Sequence, residues 1–154
     1  MEKGITAIEI MELCRGRKDD IAALEDRIDS LREGMTRITA GMGQDGRAAM
    51  GDKYAAYVAR LDDLERRLRL TKKLHGAEQV AVILLTDRFP AARRDCLRLY
   101  YGRGHSPQQI GIHIGYSQRH VERILEESRE ALDGISPRIV ASILPNWYLK
   151  NRED

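Results

Sequence analysis

Aromatic residues are scarce in this chain: six tyrosines, one phenylalanine and one tryptophan make up 5% of 154 residues. So few large rings cannot fill an extensive core, and helices with one solvated face are expected instead. There are only two cysteines, Cys14 and Cys96, far apart and in no C-x-x-C pair, which leaves reduced, buried thiols as the expectation. No apolar run approaches the roughly 20 residues that a membrane span requires. Met1 to Arg15 mixes glutamate with apolar residues and has no continuous apolar centre, so no secretory leader is expected and the protein reads as cytoplasmic. An excess of one charge is also missing: 26 Lys and Arg stand against 24 Asp and Glu, a net charge of +2. The molecule is no polycation, and a surface for nucleic acid has to be local. The length suits one ordinary domain, or a small domain carrying an extended arm.

Charge, by contrast, is plentiful, at 32% of residues. Through residues 5 to 38 it surrounds an apolar seam: Ala7, Ile10, Cys14, Arg17, Ile21, Leu24, Ile28, Leu31, Met35 and Ile38 alternate in steps of three and four, with Arg17 the one polar member. A helix of this length extends about 50 Å, and a seam this long needs a partner helix. Residues 40–52 form a Gly-rich joint, after which Tyr54, Tyr57, Leu61, Leu64 and Leu68 resume the spacing. Asp62/Arg66, Asp63/Arg67 and Glu65/Arg69 are acid-to-base pairs one turn apart, each worth about 0.3 kcal/mol. An antiparallel helical hairpin follows, and a homodimer through this arm fits the pattern equally. Val80 to Leu85 could pass for a strand, but nothing else in the chain could pair with it, so it is expected as the buried end of the second arm. Asp87 and Pro90 mark a break before a short helix from Arg93 to Tyr101.

Ser106 to Leu125, SPQQIGIHIGYSQRHVERIL, is the most informative stretch. Ser106 suits an N-cap, Pro107 the first helical position and Gln109 the third member of a capping box. Gly115 falls where a tight turn between helices needs positive φ, and Ser117 can cap a second helix. Ile110, Ile114, Val121 and Ile124 are expected to share a small core, with Gly111 letting the two helices cross closely. This is a helix-turn-helix pattern, and the second helix would present Ser117, Gln118, Arg119, His120, Glu122 and Arg123 to base edges and phosphates. Arg94, Arg98, Arg103, His105, Ser106 and Gln108 are the expected phosphate contacts. From Arg88 to Ile124 seven arginines stand against two acids, so the local positive charge that the whole chain lacks is found here. Beyond it, residues 135–154 carry Ile139, Val140, Ile143, Leu144, Trp147 and Tyr148 on one helical face, with Pro145 ending or kinking the helix.

The run Arg94-Asp95-Cys96-Leu97-Arg98-Leu99-Tyr100-Tyr101, followed by Gly104, Gln109-Ile110-Gly111, Ile114-Gly115, Ser117, Val121, Ile124 and Ala131-Leu132, resembles region 4 of bacterial sigma factors. The resemblance covers residues 88 to 134. It implies binding to promoter DNA and to RNA polymerase. Nothing in the chain is similar to the sigma region that melts DNA, and a helical arm stands in place of the upstream domains. That combination is similar to small phage and prophage regulators with a coiled N-terminal segment, such as late-gene activators of the RinA and ArpU type.

Other sites are not supported. Gly41 to Gly46 matches G-x-G-x-x-G, but it links two helices rather than a strand and a helix. His75, His105, His113 and His120 lack metal-ligand spacing, and no catalytic constellation can be assembled, so neither cofactor, metal nor enzymatic activity is expected. The sequence thus predicts an all-α protein: a helical hairpin or coiled coil over 1–87, a helix-turn-helix domain over 88–134 and an amphipathic tail over 135–154. The expected function is sequence-specific binding of duplex DNA in transcription. The same pattern leaves open a DNA-packaging oligomer similar to a terminase small subunit, and an adaptor whose helix-turn-helix does not touch DNA.

Overall fold

A computed structural model describes residues 4–40 and 47–152, with the backbone alone for 47–50. Among the described residues the chain is all helix: α1 (Ala7–Ala40), α2 (Arg47–Thr86), α3 (Ala91–Leu97), α4 (Pro107–Ile114), α5 (Gln118–Asp133), α6 (Pro137–Ile143) and α7 (Asn146–Asn151). A π-helical turn, Arg98–Gly102, extends α3. The joint is shorter than the 40–52 that the sequence pattern indicates. Arg47 to Asp52 already belong to α2, because the helix-forming Ala48, Ala49 and Met50 outweigh Gly51. Residues 41–46, including the Gly41 to Gly46 run, lie outside the described residues. Val80 to Leu85 is helical, the last turns of α2. It is not buried as a whole, since Val80, Ile83 and Leu84 face solvent while Ala81, Val82 and Leu85 face inward.

The structure divides into two compact units: residues 19–73 form one, and the described parts of 1–18 and 74–154 form the other. The first turns of α1 and the last turns of α2 thus belong with the C-terminal helices, whereas the seam spacing alone assigns all of 1–87 to the arm. In the 19–73 unit, Arg32 bonds Glu65 at 2.8 Å and Glu25 meets Lys72 at 3.4 Å. A step of seven along one helix is matched by a step of seven back along the other, so the pair is antiparallel in heptad register. Ile28 and Leu64 are buried between them, and Ile21, Leu24, Leu31, Met35, Tyr57, Leu61 and Leu68 are half-buried. Asp62–Arg66 and Asp63–Arg67 pair as expected, at 3.0 and 3.3 Å, whereas Glu65 turns to Arg32.

The other unit holds the denser core. Ile10, Met11 and Cys14 of α1, Val82 and Leu85 of α2, Leu97, Ile110, Val121, Leu132 and Val140 are all within 1% of complete burial. The tail packs inside this unit: α6 and α7 break at Leu144-Pro145 and bury Val140, Leu144 and Tyr148, leaving Ile139 exposed. Arg17, the polar member of the α1 seam, meets Glu78 of α2, its Nε 3.1 and 3.3 Å from the two carboxylate oxygens. The Tyr148 hydroxyl of α7 donates to Glu78 Oε2. Glu78 and Tyr148 are fully buried, and Arg17 Nη2 has no hydrogen-bond partner.

Candidate nucleic-acid interface

The α4–α5 pair is built by local chemistry. Ser106 sits in extended conformation and its hydroxyl accepts from the Gln109 amide at 3.2 Å. Gln109 Oε1 accepts in turn from the Ser106 amide at 3.0 Å, completing the capping box. At the other end Gly115 adopts φ +83°, the left-handed conformation that ends α4, and the amides of Gly115 and Tyr116 both donate to the Gly111 carbonyl, at 2.8 and 2.9 Å. Gly111 is required for a reason other than helix crossing. A Cβ there would lie 2.4 Å from the Tyr116 carbonyl oxygen, so the turn itself folds back onto this position. Ser117 then caps α5, accepting from the His120 amide at 3.1 Å.

Helix α5 buries Val121, Leu125, Ser128 and Leu132, while Ile114 and Ile124 are half-buried. Ser117, Gln118, Arg119, His120, Glu122 and Arg123 are all exposed on its amino-terminal half. Gln118 Nε2 donates to Glu122 Oε1 at 3.1 Å, and the His120 ring packs edge-on against Tyr116, their centroids 4.7 Å apart. Arg119 and Arg123 have no hydrogen-bond or ion-pair partner among the described residues. Along α5, Arg119 stands in the first turn with no acid beside it, Glu122 and Arg123 follow in the second, and Glu126, Glu127, Glu130 and Asp133 lie beyond with Arg129 among them; the last turn holds no base. Arg119, the cation in the first turn, is disfavoured there by about 0.3–1 kcal/mol. An anion docked against this end would reverse that sign.

The expected phosphate contacts differ among themselves. Arg103 and Gln108 are exposed, and His105 is half-buried. The Ser106 hydroxyl is occupied in the cap. Arg94 Nε is buried without a partner, 3.9 Å from Asp95 Oδ1. Arg98 is not a free cation. Its Nε donates to Thr86 Oγ1 at 2.9 Å, and its Nη2 donates to the Ile83 carbonyl at 3.0 Å and to Asp87 Oδ1 at 2.6 Å. It therefore fastens the π-helical turn to the end of α2. Arg93 likewise faces Glu127 at 3.6 Å. Of the seven arginines between Arg88 and Ile124, the four without an ion-pair partner among the described residues are Arg88, Arg103, Arg119 and Arg123.

Two residues that the sequence did not single out hold the segment leading into α4. Arg15 Nη1 donates to the carbonyls of Tyr100, at 2.6 Å, and His105, at 3.1 Å, and its guanidinium lies 3.8 Å over the Tyr100 ring. Lys18 Nζ donates to the Arg103 carbonyl at 2.9 Å. No sequence signal connects these pairs, which are 85 and 90 residues apart. The π-helical turn and the loop after it leave carbonyls that two cations on α1 satisfy, so the start of α4 is set by α1 as well as by its own cap.

Titratable groups in this unit shift because they are buried. Burial, then the Glu78 charge, pushes the Cys14 thiol up to about 12. Burial raises Cys96 as well, so both thiols stay protonated, and both are free cysteines in the core. Burial draws Arg17 down, but the hydrogen bond and charge of Glu78, together with Tyr148, outweigh it and hold Arg17 above its usual value. Tyr148 is raised by burial first and by the bond to Glu78 second. Burial lowers His75, which is therefore neutral at pH 7. Among the described residues no group of three His, Cys, Asp or Glu could hold a metal ion, and no helix is long and apolar enough to cross a membrane.

No family model matches the chain, and no curated protein or solved structure matches it.

Proposed function

We propose that α4 and α5 act as a helix-turn-helix and that the protein is a sequence-specific regulator of transcription, with α5 lying in the major groove of duplex DNA. The observation that carries this reading is the pair Arg119 and Arg123, exposed on the amino-terminal half of α5 and without an ion-pair or hydrogen-bond partner among the described residues. Gln118, Arg119 and Arg123 are assigned to base edges, with His120 and Glu122 beside them. Arg103, Gln108 and the exposed edge of Arg94 are assigned to phosphates, and Arg98 is assigned to the fold instead. The resemblance to sigma region 4 supports promoter DNA as the target, RNA polymerase as a second contact and a phage or prophage setting. A module this small reads few base pairs, so contact with the polymerase or pairing of two copies would supply the remaining specificity.

The test is selection of bound duplexes from a random pool, followed by titration at several salt concentrations. A recurrent sequence is expected. Replacing both Arg119 and Arg123 with Ala should lower affinity and reduce the salt slope by about 1 for each phosphate no longer neutralised. Unchanged affinity and slope would remove α5 from the interface and leave the adaptor reading. A ring-shaped oligomer binding DNA without sequence preference would favour packaging.

A further inference from the structure

Three backbone carbonyls between α3 and α4 accept hydrogen bonds from α1. Arg15 Nη1 reaches those of Tyr100 and His105 while its guanidinium lies on the Tyr100 ring, and Lys18 Nζ reaches that of Arg103. Arg103 sits inside this bracket. Lys18 holds its own carbonyl, and Arg15 grips the chain three residues before it and two after. The fit is close: Gly104 adopts φ +74°, and a Cβ there would press on Lys18 Cδ at 3.2 Å. The capping box that starts α4 is made by Ser106 and Gln109 alone, so these contacts do something besides capping. The Arg103 side chain, by contrast, is exposed and has no ion-pair partner among the described residues. A free cation thus stands on a backbone that another helix holds still.

We propose that Arg15 is a positioning residue for DNA binding, fixing the Arg103 backbone so that the Arg103 guanidinium meets a phosphate while α5 lies in the groove. The proposal rests on the DNA reading above and adds to it a residue that touches no DNA. Arg15 is half-buried and turned toward two carbonyls, so its contribution passes through Arg103. A contact made from a loose loop gives up part of its strength to ordering that loop, and a backbone held in advance avoids the loss. Arginine suits the task better than lysine. Its Nη1 carries two hydrogens, one for each carbonyl, and its flat guanidinium stacks on the ring at the same time, whereas an ammonium has no face to stack. Lys18 grips one carbonyl from an exposed position and plays the smaller part.

A double-mutant cycle on the full chain tests this, with the duplex selected from the random pool as the probe. Arg103→Ala should lower affinity and reduce the salt slope by about 1. Arg15→Met should do the same, and the two together should lose no more than Arg103→Ala alone. Arg15→Lys should recover part of the loss. Amide exchange of residues 100–106 should quicken in Arg15→Met and stay unchanged in Arg103→Ala. Circular dichroism checks the fold of each variant, and if Arg15→Met unfolds, Lys18→Met carries the cycle from an exposed position, with a smaller loss that again vanishes without Arg103. Costs that add in the double variant would overturn the proposal, whether Arg15 meets DNA directly or serves the fold alone. So would an Arg15→Met chain that binds as tightly as the parent. A parent that binds no duplex would end the DNA reading and this proposal together. Additive costs in a chain whose binding needs Arg119 and Arg123 would end the proposal alone.

Discussion

Replacing Glu78 with leucine isolates the cost of a charge in this core. The Glu78 side chain is fully buried and accepts from both Arg17 Nε and the Tyr148 hydroxyl, while the Arg17 side chain is only 13% exposed. Leucine occupies a similar volume, so the loss is electrostatic rather than a cavity. It leaves a guanidinium nearly buried without a counter-charge, a cost of about 3–5 kcal/mol, and a phenol without an acceptor, about 1–3 kcal/mol more if no water enters. Arg17 keeps some access to solvent, which places the sum at about 4 kcal/mol. For a chain of this size that lowers the melting temperature by ~10 °C.

Urea unfolding followed by far-ultraviolet circular dichroism measures the loss directly, provided the slope is unchanged between variants. The companion variant carries Arg17→Met, Glu78→Leu and Tyr148→Phe together. Without a stranded charge it should be as stable as the parent, or more so by about 1–4 kcal/mol. The network would then serve alignment more than stability, because sliding α1 one heptad along α2 sets Arg17 beside Leu85 and strands its charge. A loss below about 1 kcal/mol for Glu78→Leu alone, the value of a solvent-exposed pair, would refute the reasoning.

Two further outcomes follow from the same unit. Gly111→Ala forces a methyl group against the Tyr116 carbonyl, which is backbone and cannot swing away, so it should cost about 3 kcal/mol in urea unfolding and loosen the α4–α5 turn. Stability should fall at both ends of the pH range. Cys14 is raised from its usual 9.0 to about 12, so its contribution is complete below pH 9 and is lost as pH climbs to 12; Cys14→Val should flatten that limb. His75 is lowered from 6.5, so its contribution is present above pH 6.5 and is lost on acidification; His75→Gln should flatten the acid limb of the urea midpoint.

What the sequence disclosed was what depends on neighbours three or four residues away. Ser106, Gln109, Gly115 and Ser117 are legible because a cap is made within one turn, and the seam from Ala7 to Ile38 because burial repeats with the helix. The partners of Arg17 lie 61 residues away, and Tyr148 reaches Glu78 across 70. Spacing did offer one clue: Glu78 follows Leu74 by four and precedes Ala81 by three, so it occupies a seam position opposite the only polar member of the other seam. Arg98 misleads for the opposite reason. Counting arginines near a motif treats each as free, whereas Arg98 donates to the Thr86 hydroxyl, the Ile83 carbonyl and Asp87 at the end of α2.

That reassignment narrows the electrostatic argument and makes it sharper. With Arg93, Arg94 and Arg98 facing acids, the charge left on the surface is concentrated at Arg119 and Arg123, with Arg88 and Arg103 at a distance in sequence. A cation that only kept the chain soluble would have no reason to sit in the first turn of a helix, where Arg119 is disfavoured. Glu130 and Asp133 are equally misplaced, in the last turn at the negative end. Exchanging Arg119 with Asp133 would stabilise an isolated helix. An anion docked at the amino-terminal half would make Arg119 favourable there instead.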